Sequence, residues 1–173
     1  MQKENRKLST ILAMDVVSYS SKMAEDDVGT LKLLAERRIV IEKYTKSHGG
    51  RIFNTAGDAF MIDFSSPVEA VNAAIKIQRE IFQLNKNLSK DKNLEFRVGI
   101  NTGDVIMEGD NLFGDGVNVA ARLEAIAPSG FIESISPVDG IIFLNSFQLL
   151  WIETALLWLP LKIMQQIKVK IEG

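Results

Sequence analysis

Apolar residues recur along the chain with two different periods, and the switches between them mark out strands and helices. Residues 8–17, LSTILAMDVV, form an apolar, partly β-branched run that suits a buried strand. The run ends in the turn-prone Ser18-Tyr19-Ser20, which leaves Asp15 near the strand's C-terminal end. A helical stretch from about Asp26 to Lys46 follows, and Gly49-Gly50 stand where a helix end favours glycine. RIFNTA and AFMIDF predict two strands flanking Gly57-Asp58, with the glycine permitting a tight reversal and Asp58 at its tip. Ser66-Pro67 supplies a cap and a first-turn proline for a second helix, in which Ala70, Ala74, Ile77 and Ile81 form one apolar stripe. That stripe is core. Beyond the charged linker NKNLSKDKN, LEFRVGIN and DVIME predict a strand pair around Thr102-Gly103. GVNVAARLEAIA then predicts a third helix, closed by Pro128-Ser129-Gly130.

This order of strand, helix, hairpin, helix, hairpin, helix predicts an α+β, ferredoxin-like sandwich, with the helices on one face of a mainly antiparallel sheet. Residues 1–130 are expected to form its motif-bearing part. From Phe131 the character changes: only seven of the last 43 residues are charged, and Trp151 and Trp158 both fall there. GFIESIS suits one more strand, and residues 131–173 are otherwise an atypical completion of the domain. Residues 141–161 are long and apolar enough for a membrane span, but Asn145, Gln148, Glu153 and Pro160 argue against one.

Composition narrows the partners. With 46% hydrophobic and 24% charged residues the chain is ordinary for a soluble protein. A net charge of -2 provides no broad basic field, so nucleic acid is not an expected partner. The absence of cysteine excludes disulfides and thiolate metal sites. The polar start, MQKENRKLST, and the interruption of the first apolar run by Asp15 do not suit a secretory signal, so a cytoplasmic location is expected.

Two carboxylates at neighbouring strand ends, Asp15 and Asp58, would concentrate negative charge where Mg²⁺ or a similar hard cation could neutralise it. Taken alone they fit a strand-end cap and a turn residue equally well. GDNLFGDGVNVAARLE adds more. Gly114 and Gly116 permit close backbone approach, and Asn118 and Arg122, four apart, share one helix face. A guanidinium there suits phosphate oxygens and the amide a sugar oxygen, although a solvated arginine on an amphipathic helix has the same spacing. His48, the single histidine, is read as a helix-end residue.

Four ordered segments, ILAMDVVSYS, GGRIFNTAGDAFMIDF, FRVGINTGDVIMEGD and NLFGDGVNVAARLEAIAPSG, together resemble the class III adenylyl and guanylyl cyclases, especially the bacterial adenylyl cyclases. The resemblance runs from about residue 8 to 130. It implies two Mg²⁺ or Mn²⁺ ions held by Asp15, Asp58 and the backbone carbonyl of Val16. It further implies that Arg122 stabilises charge on the α-phosphate, that Asn118 orients the ribose, and that Arg97 lies near the phosphates, where a structural role is the alternative. The expected substrate is ATP, converted to cyclic AMP and pyrophosphate, by a homodimer with its sites at the interface.

The pattern is broken in places. Adenylyl members commonly hold a lysine and an aspartate where this chain has Asn54 and Asn111, and guanylyl members a glutamate and a cysteine. Amides both donate and accept, so Asn54 and Asn111 can be matched to adenine or, flipped, to guanine, which keeps GTP open. Ser18 stands where a glycine is usual. Past residue 136 nothing matches, and Lys168 and Lys170 are only nominal substitutes for a family lysine. A catalytically inactive cyclase-homology domain that binds nucleotide or a partner is the alternative reading.

Overall fold

The computed structural model describes residues 5–89, 91–136 and 140–145. The chain forms β1 (Arg6–Val16), α1 (Tyr19–Glu25), α2 (Asp27–Ser47), β2 (Arg51–Ala56), β3 (Ala59–Phe64), α3 (Pro67–Asn85), β4 (Phe96–Glu108), β5 (Asn111–Phe113), α4 (Asp115–Ile126), β6 (Phe131–Ser136) and β7 (Gly140–Asn145). One sheet of seven strands has the order β2-β3-β1-β4-β6-β7, with β5 paired to β4. Every pairing is antiparallel except that of β4 with β6. The fold is therefore α+β with a mainly antiparallel sheet, as the pattern predicts.

Side-chain alternation divides the sheet into two faces. Leu12, Met14 and Val16 of β1 join Phe60, Ile62, Phe64, Phe96, Val98 and Ile100 in the main core, sealed by α2 and α3. The predicted stripe Ala70, Ala74, Ile77 and Ile81 is buried there. Full burial of the Phe, Ile, Leu, Met and Val side chains of this core contributes roughly 1.5–3 kcal/mol each. Ser66 caps α3 by accepting from the Glu69 amide, and Asp26 caps α2 by accepting from Gly29. His48 closes α2, its Nδ1 2.6 Å from Glu69.

The opposite face corrects one expectation. Ile11 and Ala13 pack there with Phe53, Val105, Leu112 and Ala120 of α4, so the helices lie on both faces rather than one. Glycine makes this possible. A Cβ at Gly99 would stand 2.2 Å from the Glu124 nitrogen and 2.3 Å from the Ala120 carbonyl oxygen, so α4 rests directly on the backbone of β4.

Thr102-Gly103, where the pattern predicts a hairpin, makes no reversal. Instead β4 runs unbroken for 13 residues, in register with β1 from Arg6↔Ile106 to Val16↔Phe96. The long partner strand keeps Thr102 and Gly103 extended. Gly103 serves close packing, since a Cβ there would meet the Gly116 Cα at 3.3 Å. The reversal comes later, beside Gly109 at φ 59, and leads into the short β5. At Tyr19, α1 begins where only a turn was predicted, and Ser18 before it is left-handed at φ 57 and ψ 34. Among the described residues no helix is long and apolar enough to cross a membrane. Residues 146–161 of the candidate span, Trp151, Trp158, Lys168 and Lys170 lie outside the described residues.

Candidate active site

Asp15 is the penultimate residue of β1 and shares the α4 face with Ile11 and Ala13 by alternation. Its register partner on β4 is Arg97. Arg97 Nε donates to Asp15 Oδ1 at 3.1 Å, and Nη2 donates to Oδ1 at 3.1 Å and Oδ2 at 2.9 Å. Nη1 donates to the Ala125 carbonyl of α4 at 2.9 Å. The Asp15 hydrogen bonds raise the Arg97 pKa, burial opposes them, and the charges of Asp15, Glu124 and Asp58 add to the rise.

Asp58 reaches the same strand end from the β2–β3 turn. Gly57 takes φ 63 in that reversal, and Asp58 Oδ2 then accepts from the Val16 amide at 3.0 Å. The backbone of Val16 thus places the two carboxylates side by side. Burial pushes the Asp58 carboxyl above its usual range, the Val16 amide works against that, and the charge of Asp15 adds to it. The metal-site reading fits this donor set. Among the described residues no group of three or more His, Cys, Asp or Glu surrounds a cation position. Two carboxylates and a strand-end backbone match instead a hard cation that takes its other ligands from phosphate oxygens and water.

Glu124 is the residue that sequence reasoning missed. On α4 it follows Gly116, Ala120 and Leu123, the buried residues of the helix, and its side chain is only 13% exposed. Burial, together with its hydrogen bond to Asp15 and the charge of that residue, pushes it up to about 8, and Arg97 offsets this only in part. Geometry explains why. Arg97 Nη2 lies 3.0 Å from Glu124 Oε1, but that oxygen accepts no aligned hydrogen bond. The available signal was a charged residue four places after Ala120, in the apolar stripe of GVNVAARLEAIA.

Asn118 and Arg122 behave oppositely. Both are exposed, on the side of α4 turned away from its own sheet. Arg122 and Glu124, two residues apart, stand about 200° apart around the helix. One helix therefore sends Glu124 toward Asp15 and Arg122 outward. Asn54 is exposed on β2 beside a register shift, and Asn111 is exposed at the start of β5. The two strands adjoin, with Arg51 Nη1 donating to the Asp110 carbonyl at 2.7 Å. A cleft of about 320 Å³, lined in part by Gln78, Asn85 and Ser129, lies away from the carboxylates.

Comparison with known proteins identifies the family. The family model described as the adenylate and guanylate cyclase catalytic domain matches residues 1–147. The chain is 42% identical over 144 residues to the putative adenylate cyclase 3 of Rhizobium meliloti, covering 82% of this chain and 24% of that protein. It is 29% identical to the human guanylate cyclase soluble subunit beta-2, over 69% of this chain and 22% of that protein. Among solved structures, an adenylate/guanylate cyclase/hydrolase from Silicibacter pomeroyi matches with TM-score 0.70 and 35% identity, covering 76% of this chain and 77% of the other. The chain spans a quarter or less of the length of these two curated relatives. With the family model covering most of its length and a relative 42% identical over 82% of it, the chain belongs to the adenylate and guanylate cyclase catalytic domain family.

Proposed function

We propose that this domain converts ATP to 3′,5′-cyclic AMP and pyrophosphate, acting as a homodimer in the cytoplasm. The observation that carries the reading is the split on α4. Asp15 and Asp58 meet at one end of β1, while Asn118 and Arg122 project from the outer side of the helix. A single copy turns its phosphate-binding arginine away from its own carboxylates. Two copies packed head to tail would bring each Asn118-Arg122 pair over the partner's Asp15 and Asp58, so each complete site needs both chains.

In that site Asp15, Asp58 and the Val16 carbonyl would hold Mg²⁺ or Mn²⁺. Two such ions would supply an activated ribose 3′-hydroxyl and charge neutralisation on the triphosphate. Arg122 would donate its planar fork to the α-phosphate oxygens as charge builds on them during in-line attack. Asn118 would hold the ribose so that its 3′-oxygen faces the phosphorus. Arg97, beside Asp15, would face the triphosphate. Asn54 and Asn111 would read the purine edge, one amide donating to adenine N1 and the other accepting from the amino group. The same amides, flipped, accommodate guanine, so GTP is the second reading.

The test is turnover by the purified protein with Mn²⁺ and either ATP or GTP, scored for cyclic product and pyrophosphate. Cyclic AMP is the expected main product, and Asp58→Ala should abolish it while leaving the fold intact. Turnover surviving in that variant would sink the metal assignment. No product from either nucleotide, by a folded dimer, would leave a regulatory cyclase-homology domain in place of the enzyme.

A further inference from the structure

Arg97 commits its donors to a residue that the proposed reaction needs free. Nε and Nη2 together occupy both oxygens of Asp15. A second seat for the same guanidinium lies beside it on α4. The Ala125 carbonyl already accepts from Nη1 at 2.9 Å. Glu124 Oε1 stands 3.0 Å from Nη2, buried, with no aligned hydrogen bond to complete it. A buried acceptor in that state gains by receiving a donor.

We propose that Arg97 is the resident counter-cation of Asp15, occupying the carboxylate in the metal-free protein and shifting onto Glu124 and the Ala125 carbonyl when a divalent cation claims it. The inference rests on the reading of Asp15 and Asp58 as cation ligands. A guanidinium that bridges both oxygens and a metal ion cannot hold the same carboxylate in the same way, so each must displace the other. The bond from Nη1 to Ala125 is the pivot that keeps the displaced side chain beside the site. Glu124 is then a positioning residue, which acts through Arg97. A cation arriving alone has to evict Arg97. With a triphosphate present the evicted guanidinium faces an anion, so metal and nucleotide bind cooperatively through this one side chain.

The test measures Mn²⁺ binding to the intact protein without nucleotide, by calorimetry or by the paramagnetic signal of the free ion. Arg97→Met should tighten binding roughly tenfold, the scale on which a neighbouring opposite charge biases a carboxylate. Arg97→Lys keeps the charge but cannot span both oxygens, and should tighten binding by roughly threefold. Wild-type affinity in both variants would overturn the proposal. So would tightening in the methionine variant alone, because charge rather than occupancy would then account for it. In the unmodified protein the ¹⁵N–H signal of Arg97 Nε should move as Mg²⁺ saturates the site, and an unmoved signal at saturation would also overturn it. Asp58→Asn separates the layers. If that variant binds Mn²⁺ with wild-type affinity, the underlying metal reading fails. If it loses binding while both Arg97 variants are neutral, only the counter-cation role fails.

Discussion

The two faces of the sheet are built from the same strands by different means. On β4, Phe96, Val98 and Ile100 enter the core beneath α2 and α3, while Arg97, Gly99, Asn101 and Gly103 meet α4. The first face is filled with large side chains that tolerate exchange of one apolar shape for another. The second replaces side chains with backbone contact and keeps polar groups at its rim, among them Asp15, Arg97 and Glu124. Parity along single strands thus separates the large apolar side chains from the ionic cluster. Volume holds the helix layer in place, whereas glycine sets the height at which α4 lies on β4.

The largest effects should come from dividing the α4 side between chains. Asp58→Ala and Arg122→Ala should each lose activity, the arginine variant by about 10²–10³-fold. Mixed in equal amounts and allowed to exchange, they should recover about a quarter of the wild-type rate, because half of the dimers then hold one intact site. Absence of recovery in verified mixed dimers would break the argument from the outward Arg122.

A second experiment compares the faces directly. Gly99→Ala adds one methyl group against the backbone of α4 and should destabilise the protein by about 3 kcal/mol or more, because a helix backbone cannot move aside as a side chain does. Phe60→Ala on the other face should cost about 3–5 kcal/mol in unfolding free energy. The two are expected to part in the activity of the folded fraction. That of Gly99→Ala should fall steeply, since α4 is lifted, and that of Phe60→Ala should stay near wild type. Equal retention in both would remove the role given to glycine.

The ionic rim has a pH signature. Glu124 is raised from 4.5 to about 8 in the folded protein, so folding favours its protonated form. Its contribution to stability is complete below about 4.5 and is lost as the pH rises through about 8. The melting temperature of the metal-free protein should therefore fall across this range relative to Glu124→Gln, whose amide stays neutral. A constant difference between the two would contradict the burial argument. The smallest effect is at the end of β1, where Ser18 sits in the left-handed region. Ser18→Gly should stabilise the protein by up to about 1 kcal/mol, relief of strain being partly offset by the chain entropy of glycine.

Much of the fold is legible in the pattern of the chain. β2, β3 and the α3 stripe follow from local periodicity, and Asp15 and Asp58 fall at the strand end and turn tip expected of them. The misses share a cause. Thr102-Gly103 resembles a turn locally, and only the 11-residue β1 alongside keeps it extended. The helix α4 has the right length and stripe, but periodicity does not say which face of a sheet a helix covers. Glu124 looks like a solvated charge until the sheet beneath it is known.

The chain's own sequence determined most of the strands and helices and the family, and it singled out Asp15, Asp58, Asn118 and Arg122 as candidates, because caps, turns, periodicity and ordered motifs are local properties. Tertiary structure alone decided that Arg97 rests on Asp15, that Glu124 is half-buried beside them, and that Asn118 and Arg122 face away from the carboxylates. Those relations join residues as much as 82 positions apart. They depend on strand register and on how closely α4 lies against β4, which no local pattern encodes.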